Sequence, residues 1–162
     1  DAVRDTLEEG GRHAVNLDAR QWVRTVSEKL EAGFLLTVDY GKRFGTAPNP
    51  PRTFYKHTTD EQLTEAPGKK DLTASVDFDE LISEGEAAGL AFESYRTLTR
   101  FLLDHGISDF ISSDPSVEAV RSRNKIKTLL HPEAMGETFK VLVQKRVGSV
   151  EPAPREMRWS LT

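Results

Sequence analysis

The clearest chemical feature of the sequence is Asp39-Tyr40-Gly41, which directly follows an apolar run long enough for one strand. In open α/β sheets, ligands bind beyond the carboxyl ends of the strands. A carboxylate there can accept hydrogen bonds from an amine, a hydroxyl or a guanidinium, while the tyrosine adds a flat wall and the glycine permits close backbone approach. A structural role fits the spacing equally well, with Asp39 capping a turn and Tyr40 packing, so both alternatives stay open here.

A second polar cluster lies in residues 67–78, PGKKDLTASVDF. Asp71 and Thr73 could contact a ligand, but short polar side chains often bond their own loop backbone, so a structural role is favoured. Asp77 already fits a helix cap. Basic residues recur at every second position from 121 to 127, which spreads them around a helix and favours a solvated surface.

Several classes of site are excluded by what the sequence lacks. It has no cysteine, which rules out disulfides, zinc–thiolate sites and thiol nucleophiles. No phosphate loop, G-x-G-x-x-G, H-E-x-x-H or G-x-S-x-G motif occurs. We expect no metal site, because the four histidines are far apart in sequence and none pairs with another at helical spacing: His13, His57, His105 and His131.

The composition fits one domain of ordinary size. The chain has 162 residues, of which 37% are hydrophobic and 30% charged. A net charge of −4 argues against nonspecific nucleic-acid binding. Residues 58–93 hold ten acidic residues and two lysines, which fits a solvated face better than steering of a charged partner. No apolar run approaches the roughly 20 residues of a membrane span and nothing at the N-terminus resembles a signal peptide, so we expect no membrane partner. The absence of cysteine fits an intracellular protein.

Helical and strand patterns alternate along the chain. Asn16 is placed to cap one helix, and Asp77, with Glu80 three residues later, opens another through a capping box. The predicted helices span residues 17–32, 77–89, 97–105 and 115–131. The predicted strands span residues 34–38, 53–57, 90–95 and 138–145, and residues 58–70 are predicted to be loop.

This alternation predicts an α/β sheet. The strand at residues 34–38 is almost wholly apolar and is predicted to be covered on both faces, as in a parallel sheet. The strand at 138–145 alternates, which predicts one face open to water and the other formed by Phe139, Val141 and Val143. Four or five short strands are few for a doubly wound domain, so the sheet looks incomplete at its N-terminal side.

Four segments, taken together and in order, resemble the MidA family. They are residues 33–41 (GFLLTVDYG), 67–78 (PGKKDLTASVDF), 97–107 (TLTRFLLDHGI) and 135–142 (MGETFKVL). The resemblance extends over about residues 15–145. The chain departs from the family at Leu98, where glutamine is usual, and at Ser75, where histidine is frequent.

Members of that family are S-adenosylmethionine-dependent methyltransferases with a Rossmann-like sheet. The resemblance implies an α/β fold that is the C-terminal half of a class I methyltransferase sheet, with an antiparallel last strand. It places residues 1–147 in the methyltransferase domain, a helical insertion at about 97–132, and a Pro-rich tail at 148–162. The strands at 34–38, 90–95 and 138–145 would be the fifth, sixth and seventh of the complete sheet.

The resemblance also implies roles for particular residues. Asp39 and Tyr40 become the candidate catalytic residues. The residues expected to line the substrate pocket or order its loops are Gly41, His57, Asp71 and Thr73. The family's Gly-rich cofactor loop and ribose-binding acid are expected upstream of Asp1, so no residue of this chain is assigned to S-adenosylmethionine.

The family also frames the expected partners. Mitochondrial members methylate an arginine of a respiratory complex I subunit, so we expect a protein substrate, and a location in the cytoplasm of a bacterium or the mitochondrial matrix of a eukaryote. The missing N-terminal half would be supplied in cis or in trans, and the oligomeric state stays open. The alternatives are a noncatalytic protein-interaction module and one subunit of a two-chain enzyme, which would show an exposed apolar sheet edge.

Overall fold

The computed structural model describes residues 3–55, 58–60 and 62–148. The helices are α1 (Leu17–Lys29), α2 (Phe78–Ala87), α3 (Leu98–Asp104) and α4 (Val117–Leu130). The strands are β1 (Gly33–Lys42), β2 (Arg52–Tyr55), β3 (Thr58–Asp60), β4 (Asp71–Thr73), β5 (Val76–Asp77), β6 (Ala91–Thr97) and β7 (Phe139–Arg146). Within these described ranges, no helix has the length and apolar character needed to cross a membrane.

Four strands form the main sheet in the order β5-β1-β7-β6. β1 pairs antiparallel with β7 along residues 33–40, and it pairs parallel with β5 only at Gly41 and Lys42. β6 is antiparallel to β7, so the last strand of the described residues lies between two strands that run the other way. This confirms the predicted antiparallel last strand.

One face of β1 is open over most of its length. Phe34, Leu36 and Val38 point to the same side of the strand, and their side chains are 62%, 49% and 45% exposed. The apolar run predicts cover on both faces, and for the described chain that prediction is wrong. The physical reason is that α1 and α2 both pack on the opposite face, where Leu35 joins the core.

The core lies between the main sheet and these two helices. Its fully buried members come from both helices, from β7 and from the turn before β6: Val23, Phe78, Leu81, Leu90 and Leu142. Burying side chains of this size contributes about 1.5–3 kcal/mol each, so this cluster holds the two helices on the sheet.

The side-chain caps of α1 and α2 are confirmed. Asn16 Oδ1 accepts a hydrogen bond from the Ala19 N–H at 2.9 Å. Asp77 Oδ1 accepts one from the Asp79 N–H, also at 2.9 Å. Each cap satisfies an amide that the first helical turn leaves without an internal partner.

Two details at the helix ends differ from expectation. Glu80, predicted to close a capping box, directs its carboxylate to Arg20 of α1. α1 ends at Lys29 instead of residue 32, because Leu30 already adopts an extended conformation and Gly33 begins β1. Local sequence signals therefore predict the start of α1 better than its end.

A small second sheet has the order β3-β2-β4, and one of its strands, β3, lies in the region predicted as loop. β2 pairs antiparallel with β3 through Thr53–Asp60 and with β4 through Thr53–Leu72. The prediction of an unbroken loop over residues 58–70 is wrong because β3 lies within it. These strands are three or four residues long and largely polar, so they form by backbone pairing without an apolar pattern.

The segment between β6 and β7 is helical. α3 is capped by Thr97, a 3-10 turn covers Ile107–Phe110, and α4 is capped by Ser116. The cap of α4 therefore follows Pro115, which lies outside the helix and not at its first position as predicted. The helical insertion at residues 97–132 stays a prediction, and so does the end of the domain at residue 147. Most of the predicted Pro-rich tail, residues 149–162, lies outside the described residues.

β7 is more deeply buried than its alternating pattern predicts. Val141 and Leu142 are both inaccessible, and so is Gln144, whose polar side chain the pattern assigns to a face open to water. The prediction of a water-exposed face is wrong because β7 is central in the sheet and its Gln144 face lies against α2.

Candidate active site

Asp39 lies near the carboxyl end of β1, beside the open edge of the sheet. Its Oδ1 accepts a hydrogen bond from the Tyr40 N–H at 2.7 Å. The half-buried side chain lines a cavity of about 370 Å³ between this edge and α1, with Asn16 and Trp22 on the helix side. A carboxylate in such a cleft can accept further hydrogen bonds from a cationic ligand.

Tyr40 points to the opposite side of β1 from Asp39, because successive side chains of a strand alternate. Its hydroxyl is hydrogen-bonded to the Thr73 hydroxyl of β4. Its ring meets Phe139 edge-on, with ring centroids 6.4 Å apart. The structure thus brings two of the candidate site residues, Tyr40 and Thr73, into direct contact and joins the main sheet to the small one.

Gly41 is required for strand packing. A Cβ at this position would lie 2.9 Å from both the carbonyl carbon and the amide nitrogen of Val76, and closer still to the Val76 oxygen. Real Cβ atoms do not approach backbone so closely, so any larger residue would push β5 away from β1. The backbone that approaches Gly41 closely is therefore that of β5.

The remaining candidates are less closely grouped. Asp71 is exposed at the start of β4, where it pairs with Phe54 of β2. It is two residues before Thr73, so it lies on the same small sheet that meets Tyr40. His57 lies outside the described residues. The roles of all six candidates remain predictions.

A charged cluster that sequence reasoning missed surrounds the N-terminus of α2. Arg43 Nε donates to Asp79 Oδ1 at 2.5 Å, and the Gly45 N–H donates to the other oxygen at 2.9 Å. Arg20 pairs with Glu80, and one turn further along both helices Arg24 pairs with Glu84 at 2.7 Å. These pairs join α1 and the loop after β1 to α2.

Three acidic groups in and around this cluster have shifted pKa values. Burial raises the pKa of Asp77, against the opposing hydrogen bond from the Asp79 amide. Burial also acts to raise the pKa of Asp79, but hydrogen bonds from Gly45 and Arg43 outweigh it and hold that pKa below its usual value. Burial raises the pKa of Tyr95, opposed by the Arg43 backbone.

The cavity beside this cluster measures about 360 Å³ and includes His13 and Asp77 in its lining. The carboxylates that line this cavity are hydrogen-bonded to arginines or to helix amides. The arrangement therefore fits an ion-pair network that links α1 and α2 better than it fits a ligand site. In the sequence the partners Arg20–Glu80 and Arg24–Glu84 are both separated by 60 residues, and no local pattern marks them. In the described part of the chain, no three histidine, aspartate or glutamate residues are grouped to hold a metal ion.

Comparison with protein families identifies the fold. A family described as "Putative S-adenosyl-L-methionine-dependent methyltransferase" matches residues 1–96. Among curated proteins, the rat protein named Protein arginine methyltransferase NDUFAF7, mitochondrial, is 35% identical over 132 residues, which is 75% of this chain. The zebrafish protein of the same name is 33% identical over 144 residues, or 82% of this chain.

Two crystal structures from Burkholderia thailandensis share the architecture. An uncharacterised protein superposes with a TM-score of 0.69 at 30% identity over 82% of this chain and 38% of its own. A superfamily member described as a "likely methyl transferase", bound to S-adenosyl-homocysteine, has a TM-score of 0.66 at 30% identity over 78% of this chain and 35% of its own.

These matches define the protein class as the S-adenosylmethionine-dependent methyltransferases, and the predicted fold class is confirmed. The chain belongs to the methyltransferase family that matches residues 1–96, in agreement with the resemblance found in its sequence. It spans 29% of the length of the rat relative and 32% of the zebrafish one.

The described residues do not by themselves form a site for the family's cofactor. β1 is followed by a loop with three prolines and no helix, and within residues 3–55, 58–60 and 62–148 no strand leads through a Gly-rich loop into a helix. Near the carboxyl end of β1, Asp39 supplies a carboxylate and Tyr40 a phenol, and the last residue, Lys42, directs its ammonium over the Phe44 ring. We therefore assign no cofactor contact to this chain.

Proposed function

We propose that this chain forms the C-terminal part of the catalytic domain of a protein arginine methyltransferase. The observation that carries the proposal is the structural match, with a TM-score of 0.66 at 30% identity, to a protein bound to S-adenosyl-homocysteine. The names of the curated relatives support arginine as the acceptor, and support a mitochondrial location if the source is eukaryotic.

The open edge of β1 fits a place inside a larger sheet. β7 occupies one side of residues 33–40, and in the described chain β5 reaches the other side only at Gly41 and Lys42. We propose that a further strand pairs with this edge and brings the cofactor-binding loop, in the same polypeptide or in a second one. The exposed apolar side chains of Phe34, Leu36 and Val38 stand out from a face of the sheet, so the segment that carries this strand would also have to pack on that face.

Asp39 is the proposed acceptor-binding carboxylate. A guanidinium presents two parallel N–H groups that a carboxylate binds in matching geometry, and this pairing fixes both position and orientation. The Tyr40 amide donates to Oδ1, and we propose that the other Asp39 oxygen completes such a pair. Positioning of this kind can contribute roughly 7–11 kcal/mol to a bimolecular reaction.

The neighbouring residues would shape the pocket. Tyr40, held by Thr73, gives a wall on the other side of β1, and Asp71 and His57 would order the loops near it. S-adenosylmethionine, when bound, supplies the methyl group in this family. The part of this chain is to hold the acceptor arginine, exclude water and accommodate its charge.

The test is methyl transfer by the natural gene product that contains these residues, at its natural length. It is incubated with radiolabelled S-adenosylmethionine and protein extract, and labelled residues are identified after acid hydrolysis. We expect labelled methylarginine, and we expect Asp39→Asn to lower the rate at least tenfold while Glu118→Gln on α4 leaves it unchanged. Normal rates with Asp39→Asn would remove the assignment of Asp39.

The alternative is a noncatalytic interaction module. The exposed apolar residues of β1 favour it, since a large exposed apolar patch marks an interaction surface. A natural gene product that neither binds S-adenosyl-homocysteine nor labels any protein would favour the module over the enzyme.

A further inference from the structure

A second, larger groove lies next to the candidate active site. It measures about 760 Å³, within the usual range for ligand sites, and runs between the segment before α1 and the small sheet. Its lining is mostly apolar: Ala14, Val15, Leu17, Pro51, Leu63, Leu72 and Ala74. Leu17 and Leu72, which both line the groove, are 67% and 66% exposed.

The groove is joined to the candidate site by two residues. Thr73 forms part of its wall and is hydrogen-bonded through its hydroxyl to Tyr40. Asn16 lines both this groove and the cavity that holds Asp39. A ligand that fills the groove is therefore adjacent to the carboxyl end of β1, where the acceptor arginine is proposed to lie.

The charges around the groove favour a cationic occupant. Asp18, which is exposed, is the one ionised side chain among the described residues of the lining. Asp71 is exposed and precedes Leu72 in the chain. Asp39 lines the neighbouring cavity, which Asn16 also lines. Arg52, which is opposite Thr73 in the small sheet, directs its guanidinium to the Ser75 hydroxyl at 3.2 Å.

We propose that this groove binds the residues that flank the methyl-accepting arginine in a protein substrate. The occupant is an extended segment in which apolar side chains lie beside a basic one. The apolar side chains contact Leu17 and Leu72, and the basic side chain is attracted to Asp18 and Asp39. The proposal rests on the proposed function for its link to methyl transfer, but the peptide site itself is tested without cofactor.

The probe is a fluorescein-labelled, capped pentapeptide, Gly-Leu-Arg-Leu-Gly, titrated with the natural gene product that contains these residues and followed by fluorescence anisotropy. Leu17→Ser and Leu72→Ser are each expected to weaken binding about tenfold, because each removes a leucine contact. The matched control is Val117→Ser on α4, since Val117 is 69% exposed and far from the groove in sequence. All three positions are exposed, so each variant should keep the fold, which far-UV circular dichroism checks.

A comparison of two peptides tests how much charge contributes to binding. Asp18→Asn is expected to lower the affinity for the arginine peptide about threefold. The affinity for a Gly-Leu-Gln-Leu-Gly peptide is expected to stay unchanged. Absence of binding up to about 1 mM peptide, or equal weakening by Val117→Ser and the two leucine variants, would overturn the proposal. Equal affinity for the arginine and glutamine peptides would overturn it as well.

Failure of this proposal is distinguishable from failure of the proposed function. If the natural gene product methylates arginine but the leucine variants bind peptide normally, the groove assignment is wrong and the activity stands. If the peptide binds as expected but no methylarginine is formed, the peptide site stands and its assignment to a methyl acceptor is wrong.

Discussion

The hydroxyls of Tyr40 and Thr73 share a hydrogen bond that joins the end of β1 to β4. The two residues are 33 positions apart, and they belong to different sheets. Both side chains are half-buried, so the contact is sheltered from water on at least one side. This hydrogen bond connects the small sheet to Tyr40 in the candidate active site.

Removing the Thr73 hydroxyl should therefore affect both stability and activity. Thr73→Val keeps the shape of the side chain but leaves the Tyr40 hydroxyl without this partner. We expect a loss of about 1 kcal/mol in the free energy of unfolding, measured by urea denaturation. In the natural gene product we also expect a lower kcat for methyl transfer, because the wall formed by Tyr40 is less well held.

Thr73→Ser is the control, since it retains the hydroxyl and should restore most of kcat. A double-mutant cycle with Tyr40→Phe isolates the contact, and a coupling energy of about 1 kcal/mol is expected. Additive effects of Thr73→Val and Tyr40→Phe would show that the two hydroxyls do not stabilise each other.

Gly41→Ala should destabilise the chain by about 1–3 kcal/mol, because the new methyl group would overlap the backbone of Val76 and part β5 from β1. The comparison variant is Gly68→Ala, where the added Cβ meets nothing within 4 Å and the cost is that of the left-handed backbone, about 1 kcal/mol. Thermal unfolding of both variants checks the difference. A smaller loss at Gly41 than at Gly68 would mean that β5 adjusts without cost.

Much of the fold could be predicted from local chemistry. Asn16 and Asp77 cap their helices as expected, since a cap depends on residues only two or three positions away. The polar strand β3 could not be predicted, because it forms by pairing with a partner strand and has no periodic pattern. Burial of Gln144 was missed for a similar reason, since it depends on the place of β7 in the sheet.

The candidate site was predicted in part. An aspartate after an apolar strand is visible in sequence, and Asp39 does lie at the carboxyl end of β1 beside a cavity. The contact of Tyr40 with Thr73 and the pairing of Arg43 with Asp79 span more than 30 residues each, so only the folded chain brings them together. The role of Gly41 in the pocket stays a prediction, and its close contact with the Val76 backbone could not be seen in the sequence.

Asp79 should make stability depend on pH. Its pKa is lowered in the folded chain, because the hydrogen bonds from Gly45 and Arg43 outweigh the effect of burial. Its stabilisation is therefore fully present above the unfolded pKa, near 3.9, and is lost as pH falls through the lower folded value. We expect Asp79→Asn to have a lower urea midpoint than the wild-type chain at pH 7. Near pH 3 we expect the difference between the two midpoints to be smaller.

Glu118→Gln is the matched control for this experiment, because Glu118 is exposed on α4 and should change stability by less than about 0.5 kcal/mol at either pH. Asp77 acts in the opposite direction, since its raised pKa makes protonation favour the folded state as pH falls. A difference between wild type and Asp79→Asn that stays constant from pH 7 to pH 3 would contradict the role of the Asp79 charge.

Gln144 offers a test of the buried face of β7. Its side chain is inaccessible, its Nε2 lies 3.4 Å from the Leu81 carbonyl oxygen, and its Oε1 has no hydrogen-bond partner. Gly85 of α2 makes room for this amide, since a Cβ there would lie 2.8 Å from Gln144 Cδ.

Replacing this amide by an apolar side chain of similar length should remove the unsatisfied oxygen at little cost in packing. We expect Gln144→Met to raise the free energy of unfolding by about 1 kcal/mol, and Gln144→Ala to lower it by about 2 kcal/mol because it leaves a cavity. Gln21→Met, at an exposed position of α1, is the control for the chemical change alone. A clear loss of stability with Gln144→Met would show that the amide oxygen has a partner in solution, for which an ordered water between β7 and α2 is the direct candidate.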